Sequence, residues 1–239
     1  NAKDLPTPSN DTLYMSAVVR LDVPWVLHVP DTDDRYYVVN VFNMWQELEH
    51  YVGRRVTGTK AGDFVLVPPG WKGSLPAGPT RLNVTTSKVW LFGRLRVEEG
   101  EDLTPLRAMQ QQFTLRPLGR MRDASDEVPP AALAPLPAIG GNDLGFYLQL
   151  AAALRDNEVP ARDAALFAQF ARFGLTAQGF DESKLAPPQR RGLLRALADG
   201  PKVAVSALAT AAVERNGWAW ATGLDNFGAN YPLRALVSG

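Results

Sequence analysis

The chain has 239 residues, enough for one large β-rich domain or for two ordinary domains with a core each. Its 25 basic side chains equal its 25 acidic ones, so no global field draws it to nucleic acid or to an anionic membrane surface. It contains no cysteine, which excludes disulfides, a thiolate nucleophile and Cys-based zinc ligation, and no run of about 18 apolar residues that reads as a membrane span.

The opening residues, Asn1 to Pro8, are polar and carry no signal peptide, and the chain reads as a soluble protein. It begins with Asn1 rather than Met, and a signal removed upstream would place it in the periplasm or outside the cell; the compartment is therefore left open.

From Thr12 to Val97 short strands alternate with turn chemistry. Leu13, Met15 and Ala17 alternate with Tyr14, Ser16 and Val18, and Trp25 to Val29 is bounded by Pro24 and by Pro30-Asp31. Arg35 to Phe42 is rich in aromatic and β-branched residues and reads as a central strand, with Tyr37, Val39 and Val41 on one face and Tyr36, Val38 and Asn40 on the other. Phe64 to Val67 stops at Pro68-Pro69-Gly70, and Arg81 to Thr86 and Val89 to Val97 complete the series. Strands at spacings near ten residues, joined by segments too short for crossover helices, predict an antiparallel β-sandwich or jelly roll.

After Gly100 the period changes. Leu103, Leu106, Met109, Gln110 and Phe113 recur at helical spacing behind the candidate N-cap Asp102, predicting a helix that ends near Pro117. Met121 to Gly141 is rich in Ala and Pro and reads as a linker. Helices are predicted from Asn142 to Leu154, Ala161 to Phe173, Pro187 to Ala198 and Lys202 to Glu214, the last two separated by Gly200-Pro201 and the last ended by Asn216-Gly217. The tail from Trp218 to Tyr231 is aromatic and Gly-containing and does not read as helix. The expected organisation is thus α+β: a β-sandwich or jelly-roll domain over 1–120 ending in a helix, a linker over 121–141, and a helical segment with an aromatic tail over 142–239.

No dinucleotide fingerprint, P-loop, nucleophile elbow, H-E-x-x-H or EF-hand loop is present. With His28 and His50 as the only histidines, no His-based metal cage is expected, and neither a metal nor a cofactor is assigned. Asp11, in Asn10-Asp11-Thr12, is a candidate base or ligand, set against the plainer role of an Asx turn opening the strand. The segment Trp45 to Tyr51 is the densest patch of polar and aromatic types. On an extended backbone it would put Glu47, Glu49 and Tyr51 on one side and Gln46, Leu48 and His50 on the other, so a Glu–His dyad cannot be read from adjacency. His28 stands between Leu27 and Val29 and reads as a half-buried strand histidine. Arg54, Arg55, Arg94 and Arg96 offer forked contacts to an anion if they cluster in space, and Tyr37, Trp45, Tyr51, Trp71 and Trp90 would serve either as core or as a pocket lining.

The runs P-S-N-D-T-L-Y at 8–14, V-P-D-T-D-D-R-Y-Y-V-V-N-V at 29–41, V-G-R-R-V-T-G-T-K-A-G-D-F-V-L-V-P-P-G-W-K-G at 52–73 and V-W-L-F-G-R at 89–94 resemble a bacterial family of unknown function, family 1254. The resemblance spans about the first 120 residues. N-G-W at 216–218 and F-G-A-N-Y-P-L-R-A at 227–235 resemble the segment that leads, in longer members, into a second β domain, family 1214, which would begin where this chain stops at Gly239. The resemblance implies a jelly-roll-like β domain followed by a helical connector, and a site between the two β domains would be incomplete in this chain.

Three functions follow as expectations. One is a ligand-binding β domain that holds a small organic molecule or glycan in a cleft lined by aromatics and Arg, with Asn10, Tyr14, Trp45, Arg55, Thr57 and Trp71 as ligand contacts. The second is a hydrolase or lyase on such a ligand, with Asp11 and His50 as acid and base. The third is an assembly domain, in which Trp218, Trp220, Phe227 and Tyr231 form an apolar surface for a homo-oligomer or for the second β domain.

Overall fold

The computed structural model describes residues 9–120, 144–207, 212–221, 227–228 and 230–238. They fall in two compact units, divided between Ala132 and Leu133. The expected linker at 121–141 lies outside the described residues.

The first unit is a β-sandwich. Its strands are β1 (Thr12–Arg20), β2 (Trp25–Val29), β3 (Tyr37–Asn43), β4 (Leu48–Gly53), β5 (Gly62–Val67), β6 (Thr80–Asn83), β7 (Lys88–Arg96) and β8 (Thr114–Pro117), with helix α1 (Leu103–Gln110) before β8. One sheet has the order β1-β7-β3-β4 and the other β6-β5-β2-β8. All pairs are antiparallel except β5–β6, which is parallel. The Pro- and Gly-rich 68–79 segment makes that crossover without a helix, being about as long as a parallel connection requires.

Alternation along the strands builds the core. Tyr37, Val39 and Val41 are buried while Val38, Asn40 and Phe42 are half-buried on the opposite face. They join Val19, Leu91 and Leu95 of the first sheet and Trp25, Leu27, Val29, Phe64 and Leu66 of the second in one cluster, closed from below by Leu106 of α1. Asp102 caps α1, its carboxylate accepting from the Thr104 amide at 2.9 Å.

Two elements differ from the sequence reading. Helix α1 ends at Gln110 rather than near Pro117, because Thr114–Pro117 is an extended strand on β2, with Leu27 opposite Leu115. The backbone groups of β2 would otherwise be left open on that side. The Trp45–Tyr51 patch, which the sequence does not assign to an element, contains most of β4; a bulge between Val41 and Phe42 pairs Val41 with His50 and Phe42 with Leu48, leaving Glu49 as the extra residue.

The second unit contains α2 (Gly145–Asp156), α3 (Ala164–Ala171), a short β9–β10 hairpin (Leu175–Thr176, Gly179–Phe180), α4 (Pro187–Ser206), a β11–β12 hairpin (Ala212–Arg215, Trp218–Ala221) and a last helix α5 (Tyr231–Ser238). Gly200-Pro201 does not divide α4, which runs through both residues. Asn216-Gly217 is a hairpin turn rather than a helix end. Both residues take positive φ, 52° and 76°, as a two-residue turn of matching twist demands. Tyr231 opens a helix that the tail was not expected to form, and its hydroxyl donates to the buried Asp163 carboxylate at 2.6 Å. Of the four tail aromatics, Phe227 is buried against Ala207 and Leu233, whereas Trp218 and Trp220 are 71% and 60% exposed on one face of β12. No helix among the described residues is long and apolar enough to cross a membrane.

Candidate functional site

The outer face of the first sheet is ruled by cross-strand rows. Arg94 stands opposite Tyr14 of β1 and Val38 of β3; Phe92 stands opposite Ser16 and Asn40; Trp90 stands opposite Val18 and Phe42. Their rings form a continuous band: Tyr14 stacks on Phe92 at 5.6 Å, Phe92 meets Trp90 at 5.2 Å, and Trp90 stacks on Phe42 at 5.2 Å. Asn40 Oδ1 is buried in this band with no hydrogen-bond partner among the described residues.

At one end the band becomes cationic. Arg94 lies over Tyr14 and Phe92, its guanidinium carbon 5.8 and 5.2 Å from the ring centres, and Arg55, from the turn after β4, lies 5.6 Å from the centre of Tyr36. Three hollows of about 540, 250 and 390 Å³ meet here, and all three are lined by Tyr36 and Arg55. The third also takes in Ser9, Asp11, Thr12, Val38, Arg94 and Arg96. Gly53 opens the second; a Cβ there would meet the Tyr37 carbonyl oxygen at 2.5 Å, so only glycine fits this corner.

The charges are not equivalent. Arg54 is bidentate to Asp34, at 3.0 and 2.8 Å, and Arg96 is held by Glu98 at 3.1 Å. Arg55 and Arg94 have no carboxylate partner among the described residues. Two guanidiniums held over aromatic rings, with their donors uncommitted, suit a ligand that presents a carboxylate or similar anion beside a flat apolar body.

Asp11 sits on the rim. Hydrogen bonds from the Ser9 and Thr12 hydroxyls hold its carboxyl below the usual Asp range, with a smaller contribution from the Arg96 charge. It is therefore a carboxylate at neutral pH, able to accept a proton or a hydrogen bond but not to act as an acid. Asn10, beside it, is exposed, and the Tyr14 hydroxyl accepts from the Ser9 amide at 2.7 Å.

Of the other candidates, Thr57 stays beside the cleft in the turn that carries Arg55, and the rest lie elsewhere. His50 pairs with Val41, which stands five residues along β7 from the Thr12–Arg96 row, roughly 16 Å away at about 3.3 Å per residue. Its Nε2 donates to the Asn83 carbonyl of β6 at 2.7 Å, bridging the sheets, so Asp11 and His50 are not brought together. Thr57 is occupied by the Gly53 backbone, accepting from its amide at 2.9 Å. Trp45 caps the turn after β3, its amide donating to the buried Asn43 at 2.9 Å. Trp71 packs on Val26, Val65 and Val67 of the other sheet, with Arg81 over its ring at 5.4 Å. Tyr36 was not singled out from the sequence, although it precedes Val38 and Asn40 on the period-two face.

Among the described residues no group of three or more His, Asp or Glu side chains is placed to hold a metal ion.

A search of curated proteins gives no match. Among solved structures, the crystal structure of the VPA0106 protein from Vibrio parahaemolyticus is similar in fold, with a TM-score of 0.73 and 20% identity over 98% of this chain. The chain spans 57% of that structure's length. A family model described as "Protein of unknown function (DUF1254)" matches residues 1–117, in agreement with the motifs at 8–14, 29–41, 52–73 and 89–94. The N-terminal region of the chain, from the segment bearing Asp11 through all eight strands of the sandwich, belongs to this family of unknown function.

Proposed function

We propose that the β-sandwich is a ligand-binding domain, and that its cleft takes a small organic molecule carrying a carboxylate next to an aromatic or similarly flat body. The observation that carries this reading is the pair Arg55 and Arg94, each poised over an aromatic ring and without a carboxylate partner among the described residues. The anion lies between the two guanidiniums and the flat body lies along Tyr36, Tyr14 and Phe92. Asp11, ionised on the rim, orients a hydroxyl or amine of the ligand and repels a second anionic group.

Hydrolase or lyase chemistry built on Asp11 and His50 together is not supported, since the two stand on rows far apart. Recognition of a neutral glycan would use the same aromatic band but leave both arginines idle.

Calorimetric titration of the full chain with benzoate, benzamide and a neutral cello-oligosaccharide separates these readings. Benzoate is expected to bind at least tenfold more tightly than benzamide, because a charge-assisted contact contributes about 1.5–3 kcal/mol and about 1.4 kcal/mol is tenfold. Equal binding of benzoate and benzamide, or binding of the oligosaccharide alone, would overturn the anion reading.

A further inference from the structure

The second sheet carries a row of its own, on the face turned away from the core. Asp63 of β5, His28 of β2 and Thr114 of β8 are direct cross-strand partners, so three polar side chains stand side by side across adjacent strands. His28 Nδ1 lies 2.7 Å from Asp63 Oδ1. A carboxylate only accepts, so a neutral His28 keeps its proton on Nδ1 and turns the lone pair of Nε2 outward. Nε2 has no hydrogen-bond partner among the described residues.

What the lone pair faces is a hollow of about 390 Å³, lined by His28, Asp63, Val26, Gln112, Thr114 and Arg116. It brings together an oriented acceptor, a hydroxyl, an amide and a guanidinium on a rigid three-strand base. His28 and Asp63 keep 42% and 33% of their side-chain surface, so a small molecule reaches them directly. Nothing in the aromatic cleft of the first sheet uses these residues.

We propose that this hollow is a second site, which binds a small hydroxy acid: its hydroxyl donates to His28 Nε2, and its carboxylate lies in the field of Arg116, within reach of the Gln112 amide and the Thr114 hydroxyl. Asp63 is a positioning residue that fixes the tautomer. The specificity follows from the chemistry: a carboxylate alone gives His28 Nε2 no donor, and a diol alone offers no carboxylate to the Thr114 hydroxyl and the Gln112 amide.

The two histidines make the test direct, since the imidazole spectrum of the full chain contains only His28 and His50, and His28→Gln assigns both. The probe is glycolate, compared with acetate, which lacks the hydroxyl, and ethylene glycol, which lacks the carboxylate. Glycolate should shift the His28 Nε2 and Cε1–H signals saturably while leaving His50 still, and acetate and ethylene glycol should bind at least tenfold more weakly. Long-range nitrogen–proton spectra should show the neutral ring protonated on Nδ1. Asp63→Ala should release that preference and weaken glycolate at least tenfold with the His50 signal unchanged, which separates loss of positioning from loss of fold. His28→Gln should leave benzoate binding in the other cleft intact, so failure here and failure of that reading are distinguishable. An absent glycolate response, an acetate response of equal strength, or an Asp63→Ala variant that binds glycolate normally would each overturn the proposal.

Discussion

Arg94 and Arg55 stand over Tyr14 and Tyr36 without a carboxylate partner among the described residues, so removing either charge should cost ligand affinity and little else. Arg94→Gln and Arg55→Gln are each expected to weaken benzoate about tenfold, by the order of one charge-assisted contact. Arg54→Gln, whose partner is Asp34, should change benzoate affinity by less than a factor of about two, since exposed pairs contribute about 0–1 kcal/mol. Calorimetry on the three variants checks this order. Ionisable groups also set how stability depends on pH. Asp31, Asp34, Glu101 and Asp102 have carboxyls held below their ordinary range: by the Lys60 hydrogen bond, by the Arg54 hydrogen bond, by the Glu98 amide and then Arg35, and by the Thr104 amide and hydroxyl. Each contributes stability above the unfolded carboxyl range near pH 4, and this is lost as pH falls through the lower folded values. Tyr37 works the other way. Its hydroxyl is buried with no well-formed hydrogen bond among the described residues, and burial raises its pKa more than a weak contact with Thr57 lowers it. Its contribution is complete below about pH 10 and disappears above it as the unfolded phenol ionises. Thermal melts across pH should therefore fall below about pH 4 and again above about pH 10, and Tyr37→Phe should soften the alkaline fall while leaving the acid one unchanged.

Two glycines of the first sheet give a contrast at the level of strands. Gly53 ends β4 against the Tyr37 carbonyl, which is backbone and cannot yield, whereas a Cβ added at Gly93 in β7 would come within 2.8 Å of Met15 Cε, a flexible end that can move. Gly53→Ala should lose about 2 kcal/mol or more and melt several degrees lower, and Gly93→Ala should lose less. Equal losses by denaturant unfolding would contradict the backbone clash at Gly53. The same strands show what was legible beforehand. β3 announced itself because its aromatic and β-branched residues alternate without interruption, and β7 followed for the same reason. β4 did not, because the bulge at Glu49 breaks the period of two just where Trp45, Glu47 and His50 crowd together. β8 was hidden by helical spacing that continues past α1 to Phe113, so local pattern favoured helix until pairing with β2 decided it. Asn216-Gly217 fits a helix end and a hairpin turn equally well; what arbitrates is whether the residues on each side alternate, and Val213 and Glu214 carry little of that pattern. For the cleft, the arginines were visible as residue types. Their clustering was not, because Arg55, Arg94 and Tyr14 meet only through the long-range β1–β7–β3 register.

At the scale of the molecule, the sandwich core is made wholly from residues of the first unit, from Leu13 to Leu115. Residues 1–120 expressed alone should accordingly unfold in one cooperative denaturant transition and keep the near-ultraviolet signal of packed Trp25 and Tyr37, whereas a broad transition with that signal lost would mean the core needs more than this unit. Such a piece would carry both the aromatic cleft and the His28–Asp63 row, which lie on the outer faces of the two sheets. In the proposed binding mode the cleft at Tyr36, Arg55 and Arg94 holds an organic anion by its charge and its flat face together. The most direct measurement is of contacts between benzoate ring protons and protein protons by intermolecular nuclear Overhauser effects in the full chain. Contacts to the rings of Tyr36 and Tyr14 that vanish in the Arg55→Gln, Arg94→Gln double variant are expected; contacts confined to other surfaces, or contacts that persist when both charges are gone, would contradict this binding mode.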